Sequence, residues 1–262
     1  MKYAVISDVH ANLEALTTAL AYIDATGVDR IVCPGDLVGY YTNPNEVIEI
    51  IRTRNIVCIA GNHDRMAIGA KEPVKCTESA RQAMYWTREN LTQESLDYLA
   101  SLPSTAVVDQ QFLMVHASLH PQPNDDNYLI TAADARRSFD SLRQCWPGIH
   151  VCFFGHTHRC AVYVRHNGAI STGVLPKVNL RQDATYLINP GSVAQPRDGD
   201  QRAAFLIYDS DQETVEFLRV TYDREACMQK AAQAGLLVNS SFRSRIARWL
   251  DVGRRSLGLA RK

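Results

Sequence analysis

Tyr3-Ala4-Val5-Ile6-Ser7-Asp8-Val9-His10-Ala11-Asn12-Leu13 decides how this chain is read. An apolar run ends at an acid, a histidine follows two residues later, and a helical pattern starts at once. Leu13, Leu16, Leu20 and Ile23 recur at the helical period, which predicts a helix over 12–25 behind a strand over 3–7. The same order returns further on. Strands are predicted over 30–33 and 56–59, separated by a helix over 44–54 with proline near its start. Short strands joined by helices make βαβ units and a largely parallel sheet. A helical stretch over 77–102 follows, then strands near 106–108 and 112–115, a helix over 132–143 and a strand over 150–154. The last third is strand-rich, over 160–164, 185–188, 203–208 and 215–220, and is expected to be antiparallel. The fold class is α/β, with two layers of strands flanked by helices.

Each candidate functional residue follows an apolar run. In chain order they are Asp8 and His10, Asp36 in Gly35-Asp36, Asn62 in Gly61-Asn62-His63-Asp64, His116 after Phe-Leu-Met-Val, and His156 with His158 in Gly155-His156-Thr157-His158. A buried histidine or strand-end acid taken singly is more often structural. Five fragments placed alike point to one shared site. Oxygen and imidazole ligands together suit Mn²⁺, Fe or Zn²⁺ and not a purely hard cation such as Ca²⁺. The i, i+2 spacing of Asp8 with His10, and of His156 with His158, is expected to point each pair to one side of a strand. A carboxylate such as Asp36 bridges two ions, and Asn62 offers a neutral carbonyl oxygen. Seven ligands with one shared make two sets of four, leaving positions for water and substrate.

The set Asp8-x-His10, Gly35-Asp36, Gly61-Asn62-His63-Asp64, His116 and Gly155-His156-x-His158 resembles the signature of the calcineurin-like metallophosphoesterases, with all five blocks present. The resemblance runs over residues 1–222 and includes the loop Asn189-Pro190-Gly191-Ser192. Within the family the chain is similar to the small bacterial and archaeal phosphodiesterase, or diadenosine-tetraphosphatase-like, branch. The stretches beginning at Ser7 and at Gln195-Pro196-Arg197-Asp198 carry that narrower likeness. The resemblance implies a four-layer α/β/β/α sandwich with mixed sheets and two divalent metal ions, Mn²⁺ first, with Fe, Zn²⁺, Ni²⁺ or Mg²⁺ as alternatives. Asp8, His10, Asp36 and His158 would hold one ion; Asp36, Asn62, His116 and His156 would hold the other. The implied reaction is hydrolysis of a phosphodiester or nucleotide by a metal-bridging hydroxide. The alternatives are a phosphomonoesterase, including a Ser/Thr protein phosphatase, and a non-catalytic metal-dependent interaction module.

His63 has no ligand role in this scheme and is expected to donate a proton or hydrogen bond to the leaving oxygen, oriented by Asp64 or Asp36. Asn12 is expected to cap its helix or reach a phosphate. Arg197 would clamp phosphate or pair with Asp198 or Asp200, and Tyr40 would stack on a nucleobase or pack at the rim. Where relatives often carry Gly-Ser-Pro after the ligand histidine, this chain has Ala117-Ser118-Leu119, which bears on substrate contacts and not on the metal set.

At 262 residues, 46% hydrophobic and 21% charged, the chain has the composition of a globular protein able to bury a full core. One domain is expected over 1–238, with 77–102 as a helical insertion capping the site, and a basic amphipathic tail over 239–262. That tail holds seven basic residues and one acid, so the overall balance of 28 basic and 28 acidic residues is a cancellation. It is expected to dock on its own domain or a second copy, or to contact nucleic acid or an anionic surface. A homo-oligomer and a small phosphate ester or nucleotide are the other expected partners. Seven cysteines without a Cys-x-x-Cys pair, no signal-peptide pattern and no apolar run long enough for a membrane span place the chain in the cytoplasm.

Overall fold

In the computed structural model, which describes residues 1–74, 76–120 and 126–236, strand β1 (Lys2–Val5) sits inside the first of two six-stranded sheets. On one side it pairs in parallel with β2 (Arg30–Cys33), which pairs in parallel with β3 (Val57–Cys58). On the other side it pairs antiparallel with β11 (Ala203–Asp209), followed by β12 (Thr214–Val220) and the edge strand β9 (Lys177–Asn179). The second sheet has the order β4 (Thr105–Val108), β5 (Phe112–Val115), β6 (Val151–Phe153), β10 (Thr185–Pro190), β7 (Cys160–His166), β8 (Ala169–Gly173). Its central strands β5, β6 and β10 run parallel, and the outer pairings are antiparallel. Both sheets are mixed and flanked by helices, as expected.

Period-two alternation builds the layers. Tyr3 and Val5, Phe112 and Met114, and Phe153 belong to the cluster between the sheets, where Tyr3, Phe112, Phe153 and Tyr208 meet edge to face. Their sequence neighbours turn outward. Ala4 packs with α1 (Leu13–Thr26) and α2 (Pro44–Thr53), while Leu113, Val115 and Cys152 pack with α6 (Ala132–Cys145). Strands buried on both faces read as continuous apolar runs, which is why their outlines were plain in the sequence.

Other elements depart from expectation. The stretch 77–102 is two helices, α4 (Glu78–Asn90) and α5 (Gln93–Ser101), because Thr92 restarts the helix by accepting the Ser95 amide at 3.2 Å. The short helix α3 (Asn62–Ala67), the edge strands β8 and β9, and α7 (Arg224–Gln233) were not foreseen; each is short or polar, with a weak periodic signal. Among the described residues no helix is long and apolar enough to cross a membrane. The basic tail over 239–262 lies outside the described residues.

Candidate metal centre

All seven predicted ligands gather at one end of the two sheets, in the turns just beyond the strands. Asp8 and His10 follow β1, Asp36 follows β2, Asn62 opens α3 past β3, His116 follows β5, and His156 and His158 lie between β6 and β7. The expected strand alternation of the i, i+2 pairs is corrected here. Asp8, His10, Asp36, His156 and His158 all have left-handed backbones, with φ between 48° and 64°. A left-handed residue reverses the chain within one or two positions, so each pair is brought together by a turn. Such conformations cost about 1–3 kcal/mol each and persist only where their surroundings over-determine them.

Those surroundings are hydrogen-bonded. Asp8 and His10 amides donate to the carbonyls of Gly35 and Asp36 at 3.1 and 3.0 Å, tying the first turn to the second. The His156 amide donates to both Asp8 carboxylate oxygens at 3.1 Å, which joins the two sheets, and Gly155 N donates to His116 O at 2.8 Å within the second. Asn189 donates to Gly155 O at 2.6 Å and Ser192 Oγ to Asp8 O at 2.9 Å, so the Asn-Pro-Gly-Ser loop braces the same turns. Two motif glycines are explained by close approach. A Cβ at Gly61 would fall on Asp36 Oδ1, and one at Gly155 on Ser7 Oγ and Asp8 Oδ2. Gly155→Ala is therefore expected to cost about 1–3 kcal/mol, measured by urea unfolding; an unchanged midpoint would show that the Asp8 turn yields at no cost.

The ring nitrogens reveal what the site is built to hold. His10, His116 and His158 each direct Nδ1 at a backbone carbonyl, of Val38 at 3.0 Å, Pro34 at 2.9 Å and Gln195 at 2.8 Å. His156 directs Nε2 at Asp126 O at 3.2 Å. A carbonyl only accepts, so each of these nitrogens carries a proton and leaves the other nitrogen to face the site, an outer-shell arrangement common to metal-binding histidines. Those second nitrogens converge. His10 Nε2 lies 3.0 Å from His158 Nε2, and His116 Nε2 lies 2.9 Å from Asn62 Oδ1. His116 and His10 Nε2 are 3.3 and 3.7 Å from Asp36 Oδ2, and His158 Nε2 is 3.4 Å from Asp8 Oδ1. Ligand atoms of Asp8, His10 and His158, of Asp36, His116 and His156, and of His10, Asp36 and His63 form three groups, each within 4.8 Å. At His116 a proton can bridge these groups, but around His10 and His158, whose rings burial keeps neutral, lone pairs and carboxylate oxygens converge at distances a cation would satisfy, so the donor set fits metal ions.

The electrostatics agree. Burial keeps His10 and His158 well below the usual imidazole range, and burial with the neighbouring His116 charge pushes His156 down to about 3. At His116 burial also opposes the charge, but Asp36 and Asp8 outweigh it and push the ring up to about 10. The negative field that holds a proton there is the field that would hold a divalent ion.

The remaining predicted residues fall into two groups. Asn12, offered either a phosphate or a helix cap, caps: its Oδ1 accepts the Ala15 amide at 3.0 Å and its Nδ2 reaches Tyr222 Oη at 3.3 Å. Asp64 accepts the amides of Gly61, Asp36, Leu37 and Val38 at 2.8–3.2 Å, so its carboxylate organises the two ligand turns around His63. The His63 amide donates instead to Asp36 Oδ1 at 2.8 Å. Its ring lies between His10 and Tyr40, with centroids at 4.6 and 4.8 Å. Asp198 and Asp200 pair with Arg219 and Arg202. Arg197 reaches Tyr40 Oη at 3.3 Å and lines the cavity over the metal ligands.

That cavity, of about 660 Å³, has Asp36, Asn62, His63, His156 and His158 at its inner end. Sequence reasoning missed its outer wall, which comes from the α3–α4 connection and the loop before α6. Tyr128 lies over the His156 ring at 4.3 Å, and Lys71 pairs with Asp126 at 2.5 Å. Exposed His120 lines a separate polar recess with Ser118 and Arg137, and His166 pairs with Asp183 at the surface.

Comparison with known proteins follows the same line. The family model described as the calcineurin-like phosphoesterase superfamily domain matches residues 1–213. The chain is 35% identical over 232 residues to the uncharacterized protein MJ0912 of Methanocaldococcus jannaschii, covering 87% of this chain and 90% of that protein. It is similar to a metallophosphoesterase structure from Sphaerobacter thermophilus, with 36% identity, a TM-score of 0.76, and coverage of 91% of this chain and 95% of that one. The fold is shared with hypothetical protein PH1004 from Pyrococcus horikoshii OT3, at 20% identity, a TM-score of 0.73, and coverage of 90% and 94%. With its family domain matched over most of its length, the chain belongs to the calcineurin-like phosphoesterase superfamily.

Proposed function

We propose that this chain is a dinuclear metal-dependent phosphoesterase acting on a phosphodiester or nucleotide. One observation carries the reading: four imidazoles, each oriented by a backbone carbonyl, aim their second nitrogens at a site centred on two buried carboxylates. Asp8, His10, Asp36 and His158 would hold one ion, and Asp36, Asn62, His116 and His156 the other. When bound, such ions acidify a water and polarise a phosphoryl oxygen. The protein's own groups do the rest. His63 donates to the leaving oxygen, Arg197 holds a non-bridging oxygen, and Tyr40 supports Arg197 and the His63 ring. Asp64 holds the His63 turn in place, and Asn12 holds the start of α1.

Charge favours a diester mildly. Two divalent ions with Asp8 and Asp36 leave +2, which a hydroxide and a diester monoanion cancel; Arg197, lining the same cavity, adds a positive charge that softens the preference. The domain over 1–238 and its cap over 77–102 are proposed alongside, since Thr77 and Ala80 line the cavity. The free thiols, several of them buried in the core, suit the cytoplasm.

The test is hydrolysis of bis-p-nitrophenyl phosphate against p-nitrophenyl phosphate after the metal is stripped and Mn²⁺, Zn²⁺ or Mg²⁺ restored. The expected result is cleavage that requires added metal and favours the diester about tenfold or more, ~1.4 kcal/mol. Activity on the monoester alone would favour the phosphatase reading, and silence on both with ions bound would favour the interaction module.

A further inference from the structure

The cavity extends well past the metal ligands, and its outer part has a chemistry of its own. A bare phosphate would leave most of the 660 Å³ unfilled; pockets of about 300–1,000 Å³ take whole organic ligands. Met66, Val74, Ala80, Tyr128 and Ile130 line this outer lobe. Val74 is 78% exposed and Tyr128 40% exposed, so two large apolar side chains stand in water at the mouth of a site. Exposed apolar surface gathered in a concave site marks contact with an apolar partner. The charged residues of the lobe point the same way. Its lining holds the acids Glu72 and Asp126, with Arg88 facing Glu72 at 3.2 Å and Lys71 facing Asp126 at 2.5 Å. Among the described residues that line the cavity, the other cation is Arg197, at the inner end beside Tyr40. A chain of further phosphates entering the lobe would meet two carboxylates and a wall of methyl and aromatic groups.

We infer that the organic arm of the substrate is an uncharged apolar or aromatic group, seated between Tyr128 and the wall that Val74 and Ala80 form, while its phosphoryl group lies at Arg197 and the metal ligands. This rests on the phosphoesterase reading and narrows it to esters of apolar or aromatic alcohols, as against dinucleoside polyphosphates. In the hydrolysis, the water oxygen forms the new P–O bond, the bond from phosphorus to the leaving alcohol oxygen breaks, and that oxygen ends protonated.

Non-hydrolysable phosphonates separate occupancy of the lobe from chemistry. The metal-loaded protein is assayed on bis-p-nitrophenyl phosphate with methylphosphonate, phenylphosphonate and 4-carboxyphenylphosphonate as inhibitors. Phenylphosphonate is expected to bind about tenfold tighter than methylphosphonate, the gain from partly burying a ring, and the added carboxylate to cancel that gain. Val74→Asp, at a position exposed enough to tolerate the change, is expected to bring the phenyl-to-methyl ratio close to one. Equal inhibition by the methyl and phenyl compounds in an active enzyme would overturn this inference and leave the phosphoesterase reading standing. Tightest binding of the carboxylated arm would overturn it in favour of an anionic substrate arm. Absence of both hydrolysis and inhibition would remove the phosphoesterase reading, and this inference with it.

Discussion

Asp36→Asn is expected to lower metal-dependent diester hydrolysis about a thousandfold or more, ~4 kcal/mol of lost transition-state stabilisation. Asp36 is 1% exposed, belongs to two of the three groups of potential ligand atoms, and is the carboxylate that the proposed ligand sets share. Burial alone would raise its pKa, but the surrounding imidazoles, His116 above all, outweigh that and hold it well below the usual carboxylate range. It is therefore ionised wherever the protein works. Asparagine keeps the shape, and its oxygen still accepts the His63 amide as Oδ1 does at 2.8 Å. What is lost is one negative charge facing His116 and His10. An activity assay alone would not separate lost ions from lost chemistry, so thermal unfolding with and without Mn²⁺ is the second readout. At a hundred times its dissociation constant, one ligand stabilises by about 2.7 kcal/mol, roughly 5–10 °C for a chain of this size. The variant should show less than half the wild-type shift. A full shift with full activity would mean that Asp36 holds no ion.

How much of this was legible beforehand depended on which physics wrote each signal. Strand 112–115 was readable to the residue because burial on both faces leaves only apolar side chains in it. That the seven candidate residues gather was readable because Asp, Asn and His with adjacent glycines are what a tight turn around a cation requires; Gly61 and Gly155 have no room for a Cβ. The mechanism of convergence was not. Alternation along a strand and a left-handed turn both put residues i and i+2 together, and only the backbone dihedrals of Asp8, His10, His156 and His158 separate them. Nor was the outer lobe readable. Met66 comes from α3, and Val74, Tyr128 and Ile130 come from two connections whose meeting depends on the Lys71–Asp126 pair, between segments more than fifty residues apart, and on Tyr128 settling over His156. Arg197 stood between the two extremes. The structure pairs Asp198 and Asp200 with Arg219 and Arg202, which the sequence could not show.

His63→Ala is expected to lower kcat by about 10²–10⁴-fold while leaving the ions in place. The backbone N–H of His63 is fixed on Asp36, so the residue cannot leave the first turn of α3, and its ring faces the cavity between Tyr40 and His10. Its Nδ1 packs against Gly39 and is buried without a hydrogen-bond partner among the described residues, unlike the four rings that point at carbonyls. Burial pushes its pKa down to about 4, with Asp36 opposing. At neutral pH the ring is therefore neutral and offers one N–H; an anionic ester beside it favours the imidazolium and readies a proton for transfer. A leaving group stable as an anion has little need of that proton, whereas an alkoxide requires it. The loss on replacing His63 should therefore be larger for an alkyl diester than for bis-p-nitrophenyl phosphate, and His63→Gln should recover part of the latter and little of the former. The Mn²⁺-induced thermal shift should stay within a degree or two of wild type, since removing a group that is not a ligand leaves binding to the folded state unchanged. Equal losses on both esters, or a collapsed thermal shift, would make His63 a support for the ligand cluster and move the proton donor elsewhere in the cavity.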